Sequence, residues 1–128
     1  MSNVNTLWVP LPPSANAMWV RTRRGMRLSD KYVAWRDQAS VIVRSYPKGQ
    51  PIVGPVALEM LIFKGKGWSN RRHDIDNFVK PTIDFLVKEN YFPDDHSEIV
   101  RSISILMAPK PDKQAGIWIR IKPHSYEG

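Results

Sequence analysis

Apolar positions recur along this chain in two periods, near two and near three and a half residues, and the switches between them mark out the elements. Thr6 to Leu11 has the look of a short first strand, closed by Pro10, Pro12 and Pro13, which cannot donate to a sheet ladder. Ser14 to Leu28 follows neither period and reads as a loop. Ser29 is a good N-cap for a helix over roughly 30 to 45, where Tyr32, Trp35, Ala39 and Ile42 recur on one face as candidate core. Pro47, Gly49, Pro51, Gly54 and Pro55 then make a long turn. Beyond it Val56, Leu58, Met60 and Ile62 alternate with Ala57, Glu59, Leu61 and Phe63, which predicts a strand partly buried on both faces.

Lys64 to Arg72 is a basic, glycine-containing loop leading to a second helix, from near Asp76 to about Lys88, with Ile75, Val79, Ile83 and Leu86 as its stripe. Pro81, about a turn in, deletes one backbone hydrogen bond and is expected to kink its start. After a turn at Asn90 to Ser97, strands are expected at Ile99 to Met107 and Gly116 to Lys122. Pro109 to Ala115 between them reads as a hairpin loop, which would make these two strands antiparallel neighbours. The order β-α-β-α-β-β predicts an α+β fold with a mixed sheet and two main helices. At 128 residues the chain is expected to form a single small domain over 1–128.

Composition narrows the setting. No stretch approaches the ~20 apolar residues of a membrane span. The first residues lack the basic head and apolar stretch of a secretion signal, and there is no cysteine, so neither a disulfide framework nor thiolate metal ligation is available. A cytoplasmic protein without a membrane partner is the expectation.

Charge changes the picture more. The net charge is +7, yet Asp74, Asp76, Asp84, Glu89, Asp94, Asp95 and Glu98 fall within 25 residues alongside only Lys80 and Lys88. The rest of the chain holds 17 bases against 5 acids. A basic body around one acidic island fits a polyanion-binding surface with a cation site set into it, because phosphates attract Lys and Arg while a divalent metal requires carboxylates. A basic surface with incidental acids is the alternative that composition leaves open. Candidate DNA contacts are Arg21, Arg23, Arg24, Arg27, Lys64, Lys66, Arg71 and Arg72. Trp19, beside the first four, reads either as core or as a base-stacking surface.

The most specific local feature is Arg71-Arg72-His73-Asp74-Ile75-Asp76-Asn77, followed by Lys80 and then Asp94-Asp95. Two aspartates one residue apart project to the same side of an extended segment, and a third carboxylate from Asp95 would complete an oxygen-rich site suited to Mg²⁺, or to Mn²⁺ in its place, rather than zinc. The same residues also read as an N-cap, a surface acid and a turn pair. Lys80 stands four residues after Asp76, as a helix salt-bridge partner or as a cation steadying a phosphate. His73 reads as a flanking DNA contact or a plain exposed side chain.

The run Asp74-Ile75-Asp76-Asn77-Phe78-Val79-Lys80, then Asp84 and Leu86, then Asp94-Asp95 with Ile99 beyond, resembles the signature of RusA-type Holliday-junction resolvases. Pro12-Pro13-Ser14, Asn16 and Tyr32-x-x-Trp35-Arg36 resemble that family's opening strand, proline turn and first helix, so the similarity spans nearly the whole chain. The resemblance implies that Asp74, Asp76 and Asp95 are catalytic metal ligands and that Lys80 is needed for cleavage. It implies a homodimeric endodeoxyribonuclease that uses Mg²⁺, and no organic cofactor, to resolve four-way DNA junctions by paired symmetric nicks in recombination and repair. Pro81 in the helix and His73 before the aspartates depart from the usual pattern and bear on geometry more than on activity. Two other readings of the same residues are a non-catalytic basic DNA-binding module and a related nuclease acting on flaps or forks.

Overall fold

The computed structural model describes residues 4–52, 54–65 and 75–124, apart from the side chain of Ile75. Among these residues six strands and two α-helices follow in the order β1 (Asn5–Pro10), β2 (Trp19–Thr22), β3 (Gly25–Leu28), α1 (Asp30–Val43), β4 (Val56–Phe63), α2 (Val79–Lys88), β5 (Val100–Met107) and β6 (Gly116–Pro123). The expected α+β architecture is present, with a mixed sheet and two main helices. The segment expected to be a loop before α1 holds a 3-10 turn, Ala15–Ala17, and the β2–β3 hairpin.

The main sheet runs β1-β6-β4-β5. β6 is antiparallel to both its neighbours, with Leu7 opposite Ile119 in β1 and Met60 opposite Ile119 in β4. β5 lies parallel to β4. The expectation that β5 and β6 form a hairpin is therefore wrong, since β4 stands between them. The reason lies in burial and reach. Ile117, Ile119 and Ile121 are fully buried, which a central strand provides, whereas β5 exposes Arg101, Ser102, Ile103 and Ser104 and sits at the edge. The link from Ala108 to Ala115 crosses the end of β4, where Ala108 N–H donates to Ile62 O (2.7 Å) and Asp112 N–H to Lys64 O (2.9 Å).

One side of the sheet carries the core. Leu7, Val9, Leu58, Met60 and Ile62 join the three β6 isoleucines there, beneath both helices. α1 is capped by Ser29, whose hydroxyl accepts from Tyr32 N–H (3.1 Å) and donates to Ala17 O (2.6 Å). Its buried stripe is Tyr32, Trp35, Ala39 and Val43; the last member is Val43, four residues on from Ala39, rather than the expected Ile42. Trp35 stacks on Tyr32 (5.6 Å), meets Phe85 of α2 edge-on (5.1 Å) and donates from Nε1 to Pro10 O (2.8 Å), which ties α1 to the outer edge of β1.

A 3-10 turn, Ile75–Phe78, leads into α2, so the helix proper starts at Val79 and Pro81 falls in its first turn. An N–H there has no intrahelical acceptor, so the proline interrupts no ladder bond and the expected kink has no cause. α2 ends in a Schellman motif. Asn90, with φ 64°, donates to Val87 O (3.0 Å) and Tyr91 N–H to Leu86 O (3.1 Å), while Tyr91 and Leu86 are both buried. This reversal, anchored by buried Tyr91 and Phe92, turns the chain back toward the start of α2.

Candidate active site

The reversal after α2 decides where the third candidate carboxylate goes. Asp95 returns to Lys80 in the first turn of α2, where Lys80 Nζ donates to Asp95 Oδ2 at 2.6 Å. The same ammonium lies 3.0 Å from Asp84 Oδ1, one helical turn further along. Lys80 therefore bridges two carboxylates from different segments. Its hydrogen bonds to Asp95 and then to Asp84 raise its pKa above the ordinary 10.5, outweighing the small opposing effect of burial. The reciprocal hydrogen bond from Lys80 lowers the Asp95 pKa from its ordinary 3.8, with Asp94 adding to the effect. The Asp95 backbone N–H also donates to Asp94 Oδ1 at 2.7 Å, which fixes the turn.

Asp76 sits in the 3-10 turn that leads into α2, exposed to solvent. Among the described residues the ion pairs of Lys80 are with Asp84 and Asp95, not with Asp76 four positions upstream. Asp84, named from the sequence only as part of the acidic island and of the family signature, is the partner of Lys80 that sequence reasoning did not assign. The Lys80-x-x-x-Asp84 spacing allowed this pair, as the equal spacing from Asp76 allowed the other. Asp74, together with Lys66, Arg71, Arg72 and His73, lies outside the described residues.

Among the described residues no three His, Asp, Glu or Cys side chains form a metal-holding group, and the expected trio depends on Asp74. The donors that are described still suit the expected ion in kind. They are hard carboxylate oxygens in a chain without thiols, and Asp84 and Asp95 already gather around one positive charge, that of Lys80.

The basic candidates separate by position. Arg21 lies in β2, Arg23 and Arg24 form the hairpin turn, and Arg27 lies in β3, all four exposed. Arg27 pairs with Asp30 at 3.1 Å in an open, solvent-screened contact. Lys64, half-buried, follows β4. Trp19 is 46% exposed, so it is not core. The 3-10 turn Ala15–Ala17 at the hairpin's root packs against both the Ile75–Phe78 turn and α2, so the hairpin is anchored on the segments that carry Asp76, Lys80 and Asp84.

The family model of endodeoxyribonuclease RusA matches residues 10–122. The chain belongs to the RusA endodeoxyribonuclease family. The match runs from the end of β1 into β6 and contains Asp74, Asp76, Lys80, Asp84 and Asp95. No curated protein in the comparison matches the chain. The RusA family is one of Holliday-junction-resolving nucleases, so nuclease action on branched DNA is the activity that membership carries. No helix among the described residues is long and apolar enough to cross a membrane.

Proposed function

We propose that this RusA-family chain acts in the cytoplasm as a homodimer and resolves four-way DNA junctions by paired symmetric nicks, with Mg²⁺ held by Asp74, Asp76 and Asp95. The observation that carries this reading is the Lys80 bridge to Asp84 and Asp95, the latter from a segment that meets α2 only on folding, on a helix against which the root of an arginine-bearing hairpin packs. A bound divalent ion would supply Lewis acidity to the phosphate and a more acidic water. Mn²⁺ would serve in its place.

The chain's own residues have distinct tasks. Lys80, whose carboxylate partners keep it charged, neutralises the phosphate as charge builds on it. Asp84 positions Lys80 through the contact one turn along the helix. Arg21, Arg23, Arg24, Arg27, Lys64, Lys66, Arg71 and Arg72 hold the strands by their phosphates, each loss weakening binding without abolishing it. Two symmetric cuts need two sites related by a two-fold axis, which is the physical argument for a dimer.

Cleavage of a labelled four-way junction with Mg²⁺, beside duplex, flap and fork of matching sequence, tests the reading. Paired nicks confined to the junction are expected, with Asp74→Asn and Asp95→Asn each abolishing cutting while leaving binding intact. Binding without cutting in both Mg²⁺ and Mn²⁺ would make the chain a non-catalytic module. Preferential cutting of flaps or forks would change the substrate.

A further inference from the structure

Among the described residues the β2–β3 hairpin pairs only with itself, as a two-stranded sheet apart from the main one. Its turn is braced by Thr22 Oγ1 donating to Gly25 O (3.0 Å) and accepting from Arg24 N–H (3.3 Å), with Gly25 at φ +121°. Its root is fixed by buried Met18 and by Ser29 N–H donating to Met18 O (2.7 Å). The register pairs Trp19 with Leu28 and Arg21 with Met26, so these four share one face. On that face Trp19 is 46% and Met26 61% exposed beside Arg21, while Arg23 and Arg24 charge the turn and Arg27 the opposite face.

A purely phosphate-binding element has no use for exposed apolar side chains. Phosphates are met by the arginines, and an indole or thioether gains against DNA only where it reaches the flat face of a base. In a continuous duplex those faces are covered by stacking. An apolar side chain enters a stacked step only by unstacking it, and that cost is least where stacking is already interrupted, as at a strand-exchange point. Through the Ala15–Ala17 turn, the hairpin root rests on the segment that carries Asp76 and on α2.

We infer that the Trp19–Leu28 hairpin is a branch-point wedge: Trp19 and Met26 lie against unstacked bases at the crossover, and Arg21, Arg23 and Arg24 grip the flanking phosphates. This rests on the junction-resolving reading above and adds the element that distinguishes a branch from a duplex. A wedge rooted on the carboxylate-bearing segment also couples opening of the branch to presentation of the strand for cutting.

The test uses the full chain, without divalent metal, and a four-way junction carrying 2-aminopurine next to the exchange point. Wild-type protein raises the fluorescence as the base unstacks. Trp19→Ala/Met26→Ala removes most of that rise and weakens junction binding about 10-fold, leaving duplex affinity within about twofold. Trp19→Phe retains the rise. Arg23→Ala/Arg24→Ala instead weakens junction and duplex together and reduces the salt dependence of both. Should the double apolar variant fail to fold by circular dichroism, Met26→Ala alone, at the more exposed position, gives the same comparison. An unchanged fluorescence rise in the apolar variants, with junction cutting intact in the wild type, overturns the wedge alone. A wild type that neither binds nor cuts junctions overturns the resolvase reading and the wedge with it.

Discussion

Replacing Tyr32 by Phe removes one oxygen and tests how α2 is held against α1. The Tyr32 hydroxyl is buried and donates to Pro81 O at 2.9 Å, the residue after Lys80. Burial, and secondarily the nearby Asp84 charge, push its pKa from the ordinary 10.0 to about 12. At neutral pH the variant loses one buried hydrogen bond, about 1 kcal/mol. In alkali the sign reverses. A phenol whose folded pKa is raised contributes stability that is fully present below the unfolded value and is lost as pH climbs toward the folded one. Each pH unit in that window removes about 1.4 kcal/mol from the wild type and nothing from Tyr32→Phe. The two unfolding curves should therefore cross between about pH 10.5 and 11, with the variant more stable above. Urea unfolding followed by tryptophan fluorescence, at several pH values from neutral to strongly alkaline, measures the difference. Other tyrosines and the lysines titrate in both proteins and cancel to first order. A stability gap that stays constant across the whole range would show that Tyr32 is not held neutral in the fold, and the argument would fail.

Gly116→Ala should cost about 1–3 kcal/mol, because a Cβ there would come within 2.3 Å of Trp8 Nε1 and force the indole to move. Chemical denaturation checks it, and the loss should shrink in a Trp8→Ala background. Asn90→Ala should lower the melting temperature by destabilising the left-handed residue that ends α2, at a cost of about 1 kcal/mol, whereas Asn90→Gly should not. Chelation with EDTA should abolish junction cutting without releasing the junction in a gel-shift assay. Added Mg²⁺ or Mn²⁺ should restore it and Zn²⁺ should not, given the oxygen-donor set.

Local pattern carried much of the fold. The Ser29 cap, the α1 stripe through Ala39, the β4 alternation and the end of α2 near Asn90 all stand where periodicity and turn chemistry put them, because each depends on neighbours within a few residues. The hairpin was not legible. Trp19 to Leu28 mixes arginines with apolar residues that face solvent, so it shows no buried-face alternation to read. Hydrophobicity also does not say which strand will occupy the centre of a sheet. β6 and β5 are both isoleucine-bearing, and only the route of the Ala108–Ala115 link past the end of β4 separates the buried strand from the edge.

The sequence by itself determined the chemistry available: an acidic island in a basic chain, a lysine among aspartates, no thiols, and enough family pattern to indicate a junction nuclease. Tertiary structure decided which of those groups meet. Lys80 has acidic residues at both helical spacings, Asp76 before it and Asp84 after, and spacing cannot choose between them. It joins Asp84 within α2, and Asp95, 15 positions away, reaches it because the Schellman reversal at Asn90 and the burial of Tyr91 and Phe92 bring the chain back along α2. Contacts of that length in sequence are set by how a chain buries its apolar residues as a whole, and no local period encodes them.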